Sequence, residues 1–118
     1  MKQELINSIP ESVNIQGFHA EREVLLNDEI LNAHYSQRIM NHSPDGFNWG
    51  YGGSGPAQLS LAILLEYLPI KEALSIYQDF KFSVVAGFPQ TNFSKDIDLR
   101  QLIQNIVERK KQKTEQNG

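Results

Sequence analysis

The chain has 118 residues, a length that supports one modest hydrophobic core but not two. It is 40% hydrophobic and 21% charged, and its formal net charge of −3 offers no overall basic field to nucleic acid or anionic membranes. It has no cysteine, which excludes disulfides, thiolate metal sites and cysteine nucleophiles.

The start (Met1, Lys2, Gln3, Glu4) lacks the basic segment and apolar core of a signal peptide. The longest apolar run, Leu59 to Leu65, is interrupted by Ser60 and is too short to span a bilayer. A soluble, cytoplasmic protein with no membrane contact is the resulting expectation. The residues up to Pro10 are mixed in polarity and fit either a short helical turn or a frayed end. Val13, Ile15 and Phe18 show near-alternation with β-branched character, which predicts a strand over 13–18. Val24, Leu25 and Leu26 predict a second strand, closed by the turn pair Asn27–Asp28, so the two form an antiparallel hairpin. Ile30 and Leu31 either continue the sheet or pack beneath it.

Residues 32–46 are polar and read as a connecting segment over the surface, with Ser43–Pro44–Asp45–Gly46 as a β-turn. A loop of this length is uncommon unless it serves something. Next come an aromatic cluster (Phe47, Trp49, Tyr51), a glycine-rich turn, and Ala57 to Leu68, which is apolar nearly all round. That pattern predicts a central buried helix rather than a surface one, with Ser54 as its N-cap and Pro56 in its first turn. After Pro69, a helix over 70–80 places Ile70, Ala73, Leu74, Tyr77 and Phe80 on one face. Residues 82–88 fit an extension of that helix or a short strand. A last helix over 96–109 is marked by the stripe Leu99, Leu102, Ile103, Ile106 and Val107, capped by Ser94 or Asp96. Arg109, Lys110, Lys111 and Lys113 then lead into a basic, polar tail over 109–118, expected to be disordered. A nucleic-acid arm on an acidic domain is the weaker reading of these charges.

Gly50–Tyr51–Gly52–Gly53–Ser54–Gly55 matches G-x-G-x-x-G and opens a helix. A dinucleotide site also needs a buried strand before the loop and an acidic residue about twenty positions later. Here a turn and an aromatic cluster precede the loop, and the candidate acid, Glu72, falls inside a predicted helix. The P-loop template fails because the loop ends Gly55–Pro56–Ala57 with no lysine beside it, and the nucleophile elbow fails because Pro56 follows Gly55. Ser54 activated by His19, His34 or His42, with Asp45 as orienter, is a formal possibility that ranks below Ser54 as a cap. No catalytic residue, metal site or cofactor is assigned, since the histidines lack ligand spacing. What survives is a binding site for a small anionic ligand at a helix N-terminus, lined by Trp49, Tyr51, Gly52, Gly53, Ser54 and Gly55. The competing structural reading is that the aromatics pack on the helix and the glycines let the backbone cross it closely. Glu21, Glu23, Asp28 and Glu29 make a negative edge on the hairpin, most simply a solvated face.

The segment from His42 to Leu65, HSPDGFNWGYGGSGPAQLSLAILL, resembles a family of small bacterial proteins of unknown function. Its members carry Trp-Gly-Tyr-Gly-Gly-Ser-Gly-Pro-Ala-Gln-Leu-Ala-Leu-Ala-Ile-Leu, with Ser60 here in place of the usual alanine, and often sit in phage, plasmid or other mobile-element neighbourhoods. Residues Ala73 to Phe82 are also similar. The hairpin fits in outline and the basic tail is not part of the pattern. The resemblance implies no activity.

These readings together predict a single α+β domain over 1–108: a small antiparallel N-terminal hairpin or sheet packed on about three helices, the central one buried. The expected function is a non-enzymatic interaction or accessory protein of a bacterial mobile element, with an unidentified protein partner. The alternative is a small anionic-ligand or nucleotide-binding domain using the turn Gly50–Gly55.

Overall fold

A computed structural model of the chain describes residues 1–117, with side chains described through Thr114. The fold is α+β: a four-stranded antiparallel sheet of order β3-β2-β1-β4, with helices packed on one face. The N-terminal hairpin is present as expected. In β1 (Val13–Phe18), Val13, Ile15 and Gly17 face the core, and Asn14, Gln16 and Phe18 face outward. In β2 (Glu23–Leu26), Val24 and Leu26 face inward, and Ile15 stands opposite Leu26. Asn27 and Asp28 both have positive φ (51° and 68°), the conformation that a two-residue type I′ turn requires. They connect β2 to the short β3 (Glu29–Ile30).

The strand β4 (Phe93–Ile97) pairs with the free side of β1 and was not legible in the sequence. Its Ser94 and Asp96 belong to the sheet, so the last helix begins later than expected. The segment hides because Lys95 stands opposite Ile15, on the row that faces the core. Lys95 stays exposed, with its ammonium 6.0 Å from the Phe88 ring centroid. A charge placed on the inner row of an edge strand also discourages pairing with another chain's strand.

Among the described residues five helices complete the structure. α1 (Gln3–Asn7) buries Ile6 and docks on α5 (Leu99–Asn117), where the Gln3 amide donates to Gln104 at 2.9 Å. α5 packs Leu99, Ile103 and Ile106 into the core. Its backbone is helical through residues 109–117, which the sequence pattern had placed in a tail; Gly118 lies outside the described residues. α3 (Ser54–Leu65) is the central helix, buried without interruption from Gly55 to Leu64. α4 (Ile70–Ser83) runs beside it, burying Ala73, Ile76, Tyr77 and Phe80. It ends where Val84 turns out of helical geometry, and a 3₁₀ turn follows over Val85–Gly87, so residues 82–88 extend the helix briefly and form no strand.

The polar segment before the glycine turn contains a short helix, α2 (His34–Ile39), rather than the irregular loop expected. Tertiary hydrogen bonds rather than helix propensity hold it. Gln58, fully buried on α3, accepts from the backbone N–H groups of His42 (2.8 Å) and Ser43 (3.0 Å). Its amide donates to the Ser36 hydroxyl (2.9 Å) and the Met40 carbonyl (3.2 Å). The His42 imidazole meets the Tyr77 hydroxyl at 2.7 Å, and that hydroxyl donates to the Met40 sulfur at 3.3 Å. The β-turn Ser43–Gly46 is as expected, closed by the Gly46 N–H on the Ser43 carbonyl at 3.1 Å.

Gly17 is where the sheet and the aromatic cluster meet. A Cβ there would lie 2.8 Å from the Trp49 indole and closer still to the Phe93 ring. Gly17→Ala is therefore expected to cost about 1–3 kcal/mol by overpacking, read by urea unfolding; an unchanged midpoint would show that the rings yield freely. Gln58→Leu keeps the volume but strips four hydrogen-bond partners. It should cost roughly 2–4 kcal/mol and speed amide exchange over 36–46 before the rest of the chain.

Candidate functional site

The aromatic cluster divides between core and surface. Trp49 is fully buried, edge-on to Phe93 (centroids 5.4 Å apart, planes at 74°), and its indole N–H donates to the Thr91 carbonyl at 3.3 Å. Phe47 is also buried, so neither ring is open to a ligand at the turn. Tyr51 is 42% exposed, and its ring lies over Gly53. A second surface ring comes from Phe82 at the end of α4. It is 66% exposed and rests on Gly52, where a Cβ would stand 3.0 Å from it.

The turn itself is shaped by close approaches. Gly50 has φ +85°, donates its N–H to the Val85 carbonyl (3.1 Å), and accepts from the Gln90 amide (3.0 Å). A Cβ on Gly55 would lie 2.5 Å from the Asn48 side chain and 3.1 Å from its backbone nitrogen. The first turn of α3 thus crosses the incoming chain too tightly for a side chain at that position.

Sequence reasoning missed the cation at this turn. Lys81, 29 positions after Gly52, reaches across from α4 and donates to the Gly52 carbonyl at 3.3 Å. It is 7% exposed, and its Nζ sits 4.1 Å from the Phe82 ring centroid. No spacing rule within the loop could have found it, because the helix register of α4 places it there.

The start of α3 also differs from expectation. Gly53 occupies the cap in an extended conformation (φ −100°, ψ −162°), no side chain caps the helix, and the first turn carries no acidic residue. Ser54 is the first helical residue, exposed, and does not cap the helix. Pro56 falls in the first turn, where a missing N–H leaves nothing unpaired. Tyr51, Gly52, Gly53 and Ser54 thus remain at the surface around the turn and Phe82 joins them there, while Gly55, Lys81 and Trp49 are buried.

The His42 imidazole is paired with Tyr77, the His19 ring stands edge-on to Trp49 with centroids 5.8 Å apart, and His34 starts α2, its backbone N–H donating to the Asn32 side chain at 2.8 Å. Among the described residues no hydrogen bond joins Ser54 to any of them. No group of three or more metal-ligating side chains comes together among those residues, and no helix of theirs is long and apolar enough to cross a membrane. At the far end of α3, burial raises the pKa of the Tyr67 hydroxyl, Glu66 adds to the rise and the Asn27 hydrogen bond opposes it. Tyr67 therefore stays neutral at physiological pH.

Because Ser54 does not cap α3, Ser54→Ala should shift stability by no more than about 0.5 kcal/mol in chemical denaturation. A loss of about 1 kcal/mol or more would restore the capping role.

No curated protein and no solved structure matches the chain. A family model described as a family of unknown function matches residues 16–109, from the middle of β1 through the first half of α5, with the glycine turn inside the match. By that match the chain belongs to the family of unknown function DUF6166.

Proposed function

We propose that this protein is a non-enzymatic interaction domain that binds a protein partner through the open face of its sheet. One observation carries the reading. On the face away from the helices, Ile30 is 70% exposed beside its cross-strand partner Leu25, with Phe18 diagonal to Leu25 on the next strand. Glu23 lies opposite Phe18, and the Asp28 and Asp96 carboxylates accept from Gln16 and Asn14 on the same face. The strands contribute no lysine or arginine to it, since Lys95 belongs to the inner row. An apolar strip edged by carboxylates complements a partner segment that is apolar and flanked by basic side chains.

The polar groups of the interior favour binding over catalysis as the role. Gln58, Ser36, Met40, His42 and Tyr77 bind one another rather than a substrate. A setting as a cytoplasmic accessory protein of a bacterial mobile element is part of the same proposal. It rests on the resemblance carried by residues 42–65 and on a cysteine-free composition.

Affinity capture with the wild-type chain and Ile30→Lys in parallel tests the sheet face. Ile30→Lys should fold with an unchanged melting temperature, because the side chain is mostly solvated. The expected result is a partner retained by the wild type and lost both in the variant and above roughly 0.5 M salt, where charge attraction is screened. No partner, or the same partner held equally by both, would reject the reading.

A further inference from the structure

The basic side chains gather at one place, and an exposed aromatic ring stands among them. Where α4 ends beside α5, the two helices enclose an open cavity of about 270 Å³. Buried Ile106 lies at its base and Phe82 on its wall, with Arg109, Lys110 and Lys113 around them. The Lys81 ammonium lies against the same ring, 4.1 Å from its centroid. Among the described residues the carboxylate lining the cavity is Asp79, which holds Lys110 at 3.0 Å. Arg109 donates to the uncharged Ser83 hydroxyl at 3.1 Å. Cations in the last turns of a helix complement its dipole, which accounts for their charge. It does not account for a phenylalanine left 66% exposed in their midst.

The opposite arrangement stands on the hairpin. Ile30, 70% exposed, shares one concavity with Glu21 and Glu23, and Asp28 and Glu29 immediately precede it in the chain. Arg22 is the strong cation of that concavity. One apolar side chain thus projects from a rim of carboxylates, and one apolar-walled hollow opens within a rim of cations.

Resting on the sheet face as the binding surface, we propose that its partner is a second copy of this chain, with Ile30 of one copy seated against Phe82 and Ile106 in the basic cavity of the next. The sheet face calls for an apolar surface flanked by basic side chains, and the cavity between α4 and α5 is such a surface. Charge also selects the orientation. Sheet face against sheet face brings carboxylates together, and cavity against cavity brings cations together, so the head-to-tail contact is the one without like-charge repulsion. Two different surfaces meeting in this way make a heterologous contact. Copies then add in series unless the rotation closes a ring. The contact is small and its rims are solvated, so association is reversible and weakened by salt.

Sedimentation velocity of the full chain over a concentration series, at low salt and above roughly 0.5 M salt, tests the contact. The expected result is an average mass that rises with concentration at low salt and returns to that of the monomer at high salt. Ile30→Lys and Phe82→Ser each change a mostly solvated side chain, so both should keep the wild-type melting temperature and stay monomeric. Mixed in equal amounts, they should recover a species of two chains and nothing larger. Phe82→Ser supplies the intact sheet face, Ile30→Lys supplies the intact cavity, and neither product has a complementary pair left to extend. A wild type that is monomeric at every concentration, a Phe82→Ser variant that still self-associates, or a mixture that stays monomeric would overturn the second copy as partner. The sheet face itself would then stand or fall by whether Ile30→Lys loses a captured protein. Self-association that survives in Ile30→Lys would overturn the proposal and remove the sheet face from the contact.

Discussion

The structure depends on burying one helix on every side. α3 is apolar nearly all round, with Gln58 and Ser60 as its buried polar residues, and is buried from Gly55 to Leu64. A helix of that length is marginal in water by itself, so its stability must come from what surrounds it. Leu59, Leu61, Ile63 and Leu64 are each fully buried, and at about 1.5–3 kcal/mol apiece their gross contribution rivals the net stability of a whole domain. The inner face of the sheet, α4, α2 and the 3₁₀ turn supply the cover. Surface ion pairs such as Arg100–Glu11, whose carboxylate is 85% exposed, are small beside this.

Burial this complete forces every polar group near α3 to be settled within the protein. Gln58 shows how: both ends of its amide are bonded, and the bonds hold the segment from Ser36 to Ser43 against the helix. The glycines around α3 serve the same economy of space. Gly17 lets Trp49 and Phe93 lie on the sheet, and Gly55 lets α3 cross the chain at Asn48. A motif that resembles a nucleotide loop is in large part a device for close packing. The outer face of the sheet, with Ile30 at 70% exposure, stays open, and it is accordingly where binding of a partner is proposed.

Several features were legible in the residues because local physics decides them. Alternation in β1, the Asn27–Asp28 pair, the largely apolar run of α3 and the stripe of α5 each follow from period and turn chemistry over a few neighbouring positions. α2 and β4 were not legible. α2 is polar and short and exists because Gln58 claims its backbone, and β4 carries a lysine on its inner row and exists because β1 has a second edge to fill.

The candidate site divides in the same way. The sequence by itself determined that glycines, Pro56 and exposed-capable aromatics precede a buried helix, since each of those residues has a local conformational reason to be there. Only the tertiary structure decided which rings face water. Trp49 went to the core because Gly17, far away in the chain, leaves room for it, and Phe82 took the surface because α4 ends there. The Lys81 charge reaches the turn through the packing of α4 on α3, a contact between distant segments that no spacing within the loop encodes.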